Sequence, residues 1–429
     1  MDLAGDVSAA DRDSVQRRTV PVLLSSQAAG GVGVVATYIV SALLAKDITG
    51  SPVLATIAAA CLSIGGALAA YPLAALMNSK GRRVGLRTAY LFGTAGGMLA
   101  VTGAITRSYP LLCIGIFGAG AGQAGNLATR YAASDLAREE RRAFTISMVV
   151  WATTVGSATG AAVSGVASDI GETFGLPDKA SSYLLAALMF LVAGAIVEAK
   201  LRPDPLLVAG GLGKTSQKGA GLDQVKKAFK LIWANPAARL AVGAMIIVQS
   251  TMVGVMALTP LHMDDGGQTQ NVIGFMMMFH ILGMYLFSPA VGWLTDRVGQ
   301  YPMLYVAGIL CTAGAGWAAV TPPTGVVGAF MGNFLIGLGW SFGVIAASAL
   351  IVSQFPIDQR VSVQGAGDLA MVGSGALTGL ASGALYAFLG YGGVNAGNAV
   401  LGGMLIAGTA LTYVMVRRDR DQEPVVAAH

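Results

Sequence analysis

Twelve apolar segments, each long enough to cross a lipid bilayer, are the feature of this sequence that most restricts its fold. A membrane-spanning helix needs about 20 predominantly apolar residues. The 429-residue chain offers twelve such segments, at 19–45, 52–77, 88–107, 110–134, 144–169, 181–200, 236–262, 271–294, 302–321, 325–353, 361–388 and 395–416. Charged residues make up 11% of the chain, less than half the share usual in soluble proteins. The sequence therefore predicts an all-α membrane protein.

The same composition excludes several classes of protein. A disordered chain would combine low hydrophobicity with high charge, whereas 54% of these residues are apolar. The formal net charge of +5 comes from short basic clusters between apolar segments and not from one basic face, so nucleic acid is not expected as a partner. The sequence contains no nucleophile–base or metal-hydrolase motif, and we do not expect an enzyme.

The basic residues predict the orientation of the segments. When the amino terminus is placed inside the cell, 24 of the 27 lysines and arginines fall on the tails, on inner loops or at inner helix ends. Only Lys46, Arg107 and Lys179 fall on the outer side. Because positively charged loops are retained in the cytoplasm, we expect both termini to be cytoplasmic.

The segments form two groups of six. A single long polar connection at 201–235 separates the first group, at 19–200, from the second, at 236–416, and short tails occupy 1–18 and 417–429. Within the connection, the pattern predicts a short amphipathic helix that lies on the inner membrane surface.

Equivalent residues of the two groups are separated by a constant distance along the chain. An offset of 218 positions relates three pairs: Asn78 and Asp296, Gly81 and Gly299, Arg142 and Arg360. Three pairs with one offset predict a duplicated six-helix unit.

The repeated loops carry a recognisable motif. After the eighth segment the chain reads Gly292-x-Leu294-x-Asp296-Arg297-Val298-Gly299-Gln300, and after the second it reads Ala74-x-Leu76-x-Asn78-Ser79-Lys80-Gly81-Arg82-Arg83. These loops resemble the Gly-x-Leu-x-Asp-Arg-x-Gly-Arg-Arg signature of the major facilitator superfamily. The resemblance covers essentially the whole chain. It implies two pseudo-symmetric six-helix bundles that enclose a midplane site and rock to give alternating access.

The resemblance also implies a gating function for these loops. In that family the acid of the signature contacts neighbouring helix ends and latches the outward-open state. Asp296 fits this description, whereas Asn78 lacks the charge. The alternative is a tight turn with a positive-inside cluster. The gating residues expected on this basis are Gly292, Asp296, Arg297, Gly299, Asn78, Gly81 and Arg82.

Methionines are concentrated at the start of the second group. Eight of the 18 lie between Met245 and Met284. Met252 and Met256 in the seventh segment, and His280 and Met284 in the eighth, are four residues apart and share one helix face in each case. At a rise of about 1.5 Å per residue, Met252 and His280 lie about 13–15 Å below the outer ends of their segments.

These four residues are candidate copper ligands. Thioethers favour Cu(I), and imidazole binds either copper oxidation state. A histidine inside a membrane helix is costly and indicates a function. The alternative for the methionines is ordinary core packing. Near the outer mouth, His262, Met263 and Met276 are candidates for collecting the metal.

The two motifs resemble those of the CcoA-type copper importers, major facilitator proteins of the bacterial inner membrane that supply copper for cytochrome cbb3 oxidase assembly. The resemblance implies a monomeric secondary-active importer in the bacterial inner membrane, with copper as its substrate and no prosthetic group. A cytoplasmic copper chaperone is then the candidate acceptor.

An organic substrate is the alternative. Relatives of the CcoA-type importers include riboflavin transporters, so the first alternative to copper import is a carrier of a riboflavin-like or drug-like solute, either an importer or a proton-coupled exporter. Aromatic residues such as Trp293 and Trp340 would then matter more than the methionines. A membrane sensor or assembly partner ranks last, because the central connection is too short for a signalling domain.

Two charged residues lie within predicted membrane segments. Asp368 falls eight residues after Arg360, about 12 Å into the eleventh segment at the helical rise, and Arg130 lies near the inner end of the fourth. Ionisable groups at such positions indicate function. Both residues are candidates for a coupling role, and for the acid a gate contact with inner-end arginines is an equal alternative to proton coupling. The three cysteines, Cys61, Cys113 and Cys311, lie in apolar stretches and are expected to be free thiols.

Overall fold

A computed structural model describes residues 9–173, 176–177, 179–211 and 222–422. Parts of the predicted tails (1–8 and 423–429) and of the predicted central connection (212–221) lie outside the described residues. Within the described ranges the chain forms α1 (Ala9–Thr49), α2 (Pro52–Lys80), α3 (Arg82–Ile105), α4 (Tyr109–Ser134), α5 (Arg142–Thr173), α6 (Ala180–Lys200), α7 (Pro205–Val208), α8 (Leu222–Ala234), α9 (Pro236–Asp265), α10 (Gln270–Tyr285), α11 (Ser288–Val298), α12 (Gln300–Val320), α13 (Val326–Gln354) and α14 (Ile357–Gln422).

The prediction of an all-α membrane fold is confirmed. Ten helical runs of the described residues are long and apolar enough to span a bilayer. The last of them covers both the eleventh and the twelfth predicted segments, and the fifth predicted segment corresponds to the 32-residue α5. Together these account for the twelve predicted passes. The amphipathic helix expected in the central connection is α8, which buries Ala228 and Ile232.

Local sequence explains where the helices begin and end. The amide oxygen of Asn235 accepts a hydrogen bond of 3.1 Å from the backbone N–H of Ala238 and so caps α9. Gly81 ends α2 and Gly299 ends α11, with φ of 92° and 100°. These equivalent glycines of the two repeats adopt the same left-handed backbone, which residues with a Cβ rarely tolerate.

Two boundaries differ from the prediction, and each has a local cause. The eighth segment is divided into α10 and α11 because Pro289 has no N–H to donate and its ring clashes with the preceding turn. The eleventh and twelfth segments run on as α14, interrupted only at Gly390, where φ is 64° and ψ is 177°.

The two bundles meet at one end of the molecule. We call this the inner end, defined by the start of α1 and the close of α14. There α5 packs against α11, and α2 packs against α14. A Cβ on Gly292 would come within 2.1 Å of Ser147 Oγ, and one on Gly365 within 2.3 Å of Ala74 Cβ. The bundles are therefore closed against each other at the inner end. With both termini in the cytoplasm, as the basic residues predict, this arrangement would be an outward-facing conformation.

Candidate functional site

A central cavity of about 180 Å³ lies between the two bundles, halfway along their length. Its walls differ in chemistry. Seven of the eight polar side chains in its lining come from the first bundle: Gln27, Ser63, Gln123, Asn126, Arg130, Thr153 and Ser157. The second bundle contributes the eighth, Gln249, together with three methionines and two aromatic residues: Met252, Met284, Met371, Tyr285 and Trp340.

The polar wall presents unpaired hydrogen-bond acceptors. Gln27 donates from Nε2 to Thr153 Oγ1 at 2.9 Å, which leaves its Oε1 buried without a partner. The Oε1 of Gln123 is likewise buried and unpaired. Because a buried acceptor without a donor costs about 1–3 kcal/mol, both oxygens mark places where a bound solute would donate from N–H or O–H.

The opposite wall contains an aromatic pair, Trp340 and Tyr285, whose orientation is held by neighbouring contacts. Trp340 donates from Nε1 to Gln249 Oε1 at 2.8 Å, and Tyr285 packs edge-on against its ring with centroids 5.6 Å apart. This hydrogen bond and ring contact fix the orientation of the indole. The cavity therefore places a rigid aromatic surface opposite a wall of amides.

The predicted copper ligands divide into two sets. Met252 and Met284 line the central cavity and are 7% and 5% exposed. Met256 lies one turn further out on α9 and packs against the core of the second bundle. His280 is fully buried and donates from Nδ1 to the carbonyl of Asn333 on α13 at 2.7 Å. The structure thus brings the two thioethers to one cavity, whereas His280 and Met256 are not part of its described lining.

The histidine nevertheless retains one free nitrogen. Because the carbonyl of Asn333 can only accept, Nδ1 carries the proton and Nε2 carries the lone pair. This Nε2 is buried and has no hydrogen-bond partner. A backbone carbonyl that fixes the tautomer in this way is the usual outer partner of a metal-binding histidine.

The residues expected to collect a metal are buried as well. His262 stacks on Tyr391 with centroids 3.7 Å apart and donates from Nε2 to the carbonyl of Thr321 at 2.9 Å. Met263 and Met276 pack together in a small separate apolar cluster. These side chains therefore lie inside the second bundle in this conformation, away from the outer surface.

Arg130 and Asp368, the two predicted intramembrane charges, form an ion pair at the floor of the cavity. Arg130 lines the cavity and donates from Nη2 to Asp368 Oδ1 at 2.5 Å. It also donates to Ser348 Oγ at 3.1 Å and to Tyr131 Oη at 3.1 Å. The pair is 3% and 5% exposed and joins the two bundles. Of the described lining residues, Arg130 alone carries a formal charge.

A second buried ion pair lies closer to the inner end, and sequence reasoning had missed its acid. Arg82 binds Asp135 through two hydrogen bonds, of 2.8 and 3.1 Å, and donates a third to Gln364 Oε1 at 2.8 Å. Gln364 belongs to α14, so this cluster also connects the bundles. The sequence signal was available, since Asp135 stands alone at the end of an apolar segment that precedes a basic loop.

The predicted gating loop of the second repeat contacts the first bundle. The two carboxylate oxygens of Asp296 accept hydrogen bonds from the backbone N–H groups of Ala143 and Phe144, at 2.9 and 2.8 Å. These donors are in the first turn of α5, where the helix dipole favours an anion. Arg297 makes no such contact and lies over the ring of Trp293, 4.3 Å from its centroid.

The predicted gating loop of the first repeat has different hydrogen-bond partners. The Oδ1 of Asn78 is buried and unpaired. Asp204, from the connection after α6, lies beside Gly81 and accepts hydrogen bonds from the backbone N–H groups of Arg83 and Leu206, at 2.7 and 3.0 Å. The acid in this loop therefore comes from a different part of the chain, which the motif could not indicate.

Known proteins with the same fold agree with this architecture. The chain superposes on the human organic anion transporter MFSD10 (TETRAN) with a TM-score of 0.75 and 14% identity, over 92% of this chain and 99% of the other. For the proton:xylose symporter XylE the TM-score is 0.72 at 15% identity, over 94% and 96% of the two chains. At such identities the likeness is one of fold.

Curated relatives are similar over most of their length. The chain is 34% identical over 400 residues to "Uncharacterized MFS-type transporter YddS" of Bacillus subtilis (strain 168), covering 92% of this chain and 91% of the relative. It is 27% identical over 377 residues to the riboflavin transporter RfnT of Brucella anthropi, covering 86% and 89%. The family model described as Major Facilitator Superfamily matches residues 22–370 and 255–428. The chain therefore belongs to the major facilitator superfamily and is a multi-pass membrane carrier, not an enzyme.

Proposed function

We propose that this carrier transports a small polar organic solute with an aromatic ring system, of the chemical type of riboflavin. The observation that carries the proposal is the pairing of two unpaired amide acceptors, Gln27 Oε1 and Gln123 Oε1, with the braced ring of Trp340 across one cavity. A planar solute can stack on the indole while its N–H or O–H groups satisfy the amides.

The similarity to a riboflavin transporter supports the same choice. The ion pair of Arg130 and Asp368 at the cavity floor is then the candidate coupling element, since a solute that reaches Arg130 competes with the carboxylate. We place the protein in a bacterial inner membrane with both termini in the cytoplasm, on the strength of its basic inner loops.

Riboflavin uptake tests this proposal. Cells that express the chain should accumulate labelled riboflavin, and Trp340→Phe should lower the uptake several-fold by removing the hydrogen bond to Gln249. Trp317→Phe is the matched control, because Trp317 is 47% exposed on the surface. Uptake that equals that of empty cells would exclude riboflavin. Equal losses in the two variants would exclude the cavity wall as its binding site.

Copper import remains a second candidate, because His280 holds a free Nε2 with its tautomer fixed and two thioethers, Met252 and Met284, line the cavity. Met256 would be the fourth ligand once α9 and α10 shift against each other within the second bundle, to which all four residues belong. In this case the protein would supply copper for cytochrome oxidase assembly through a cytoplasmic chaperone.

Radioactive copper uptake separates the two candidates. The variant His280→Ala/Met252→Leu should abolish copper accumulation if these residues ligate the metal. Met278→Leu is the control, because Met278 is 48% exposed and is not part of the described cavity lining. If wild-type cells accumulate no more copper than empty cells, the copper candidate fails.

A further inference from the structure

A groove of about 480 Å³ opens at the inner end of the first bundle, between the start of α1 and the turn that joins α4 to α5. Three arginines line it: Arg17, Arg138 and Arg141. Asp13 contributes the only carboxylate of the described lining and is paired with Arg138. Arg17 and Arg141 form no ion pair with any described residue and are exposed. Arg141 also attracts the Asp296 carboxylate, which lies outside the lining. The described lining therefore carries an excess of positive charge, with three guanidinium groups and one carboxylate.

The groove changes from charged to apolar along both of the helices that form it. On α1 the lining passes from Arg17 to Val20, and on α5 it passes to Phe144 and then Met148. Phe144 is 36% exposed, so an apolar surface is accessible beside the arginines. Both helices continue from this point into the bilayer-spanning body. A molecule that fills the groove would thus have an anionic group at one end and a hydrocarbon part at the other.

One buried polar atom in the groove lacks a partner. Gln16 donates from Nε2 to the carbonyl of Ala133 at 2.7 Å, which fixes the amide. Its Oε1 is buried and has no hydrogen-bond partner. An acceptor in this state calls for a donor from outside the chain. A phosphate oxygen cannot supply it, whereas a hydroxyl group beside the phosphate can.

We propose that this groove binds the headgroup of an anionic phospholipid that carries glycerol, of the phosphatidylglycerol type. Arg17 and Arg141 bind the phosphate, because guanidinium groups match phosphate oxygens in charge and geometry. A headgroup hydroxyl donates to Gln16 Oε1. The acyl chains run along Val20, Phe144 and Met148. Basic pockets between membrane helices recognise lipid headgroups by this combination of charge and apolar surface.

Native mass spectrometry of the full chain, released from detergent micelles, tests the proposal. Phosphatidylglycerol should bind at least tenfold more tightly than phosphatidylcholine, and Arg17→Gln/Arg141→Gln should abolish this difference. Arg417→Gln/Arg418→Gln is the matched control, because it removes two exposed arginines from the close of α14 and should retain the preference. Gln16→Leu should leave phosphatidic acid binding unchanged and should weaken phosphatidylglycerol binding to the level of phosphatidic acid.

Three results would overturn the proposal. Equal binding of phosphatidylglycerol and phosphatidylcholine to the wild type would show that the groove does not select an anionic lipid. Equal losses in the two double variants would show that net charge, and not this groove, attracts the lipid. Binding of soluble glycerol 3-phosphate as tight as that of the lipid would assign the groove to a free phosphate ester. None of these measurements depends on the transported substrate.

Discussion

Arg130 and Ser348 occupy the same position in the two repeats, 218 residues apart, and they are in contact, with Nε donating to Oγ at 3.1 Å. Two equivalent residues can touch only where they approach the pseudo-two-fold axis that relates the bundles. Arg130 therefore lies on or near the axis about which the bundles rock. Its other bond across the bundles, to Asp368, has no charged counterpart, because the equivalent of Asp368 in the first repeat is Val150. The ion pair of Arg130 and Asp368 at the centre of the duplicated fold therefore has no equivalent in the other repeat.

Removal of one partner of this pair should be more damaging than removal of both. Asp368→Asn leaves the Arg130 guanidinium buried without a counter-charge, which costs about 3–5 kcal/mol, whereas apolar replacement of a whole buried pair is often neutral. We expect Asp368→Asn to lower the unfolding temperature in detergent and Arg130→Met/Asp368→Leu to restore most of it. Both variants should be inactive in uptake. Recovery of uptake in the double variant would reduce the pair to a structural role.

The hydrogen bond from Trp340 Nε1 to Gln249 Oε1 should set substrate affinity. Gln249→Leu leaves the indole Nε1–H without its acceptor and frees the ring to turn, and the loss of about 1.4 kcal/mol corresponds to a tenfold weaker affinity. Uptake kinetics should therefore show a KM about tenfold higher with a similar maximal rate. Gln268→Leu, in the connection between α9 and α10, should leave both values unchanged. A fall in maximal rate at constant KM would contradict the conclusion that the hydrogen bond between Trp340 and Gln249 sets substrate affinity.

The two gating loops should respond unequally to the same change. Asp296→Ala removes a carboxylate that accepts two backbone hydrogen bonds at the start of α5, and hydrogen bonds to charged groups contribute about 1.5–3 kcal/mol. This loss should shift the carrier away from the outward-facing conformation. Asn78→Ala removes an amide whose oxygen has no partner and should have little effect. Distances between spin labels across the inner end should increase in the first variant and stay constant in the second.

The sequence was sufficient for the helices and the duplication, because both depend on properties that recur along the chain. Segment length is set by bilayer thickness, and Gly81 and Gly299 take the same left-handed backbone in each repeat. The sequence was not sufficient to predict which residues each side chain contacts. Helical periodicity placed His280 and Met284 on one face of a helix, but it could not tell that His280 is bonded to α13 while Met284 lines the cavity.

The same limit explains the missed acids. Asp204 is remote in sequence from the loop that it stabilises, and Asp135 pairs with Arg82, 53 residues away. The motif predicted a gating role for Asn78, but the side-chain oxygen of this residue has no hydrogen-bond partner. A pattern within one loop cannot reveal a contact that only the packed bundle creates.

Gly292 should control closure of the inner end by its lack of a side chain. A Cβ at this position would lie 2.1 Å from Ser147 Oγ and 2.7 Å from the carbonyl oxygen of Ala143, and the second of these belongs to the backbone of α5 and cannot move aside as a rotamer can. Gly292→Ala should therefore force α11 away from α5 and prevent the outward-facing state from closing at the inner end.

Spin labels at Glu140 and Arg297, two exposed positions on opposite bundles, measure this separation in a background without the three native cysteines. The distance between labels should increase in Gly292→Ala, and uptake should fall at least tenfold. Gly274→Ala is the control, because a Cβ there meets no atom within 4 Å. An unchanged label distance in Gly292→Ala would mean that the contact between α5 and α11 does not hold the inner end shut, and that the ion pairs of Arg82 and Arg130 do so without it.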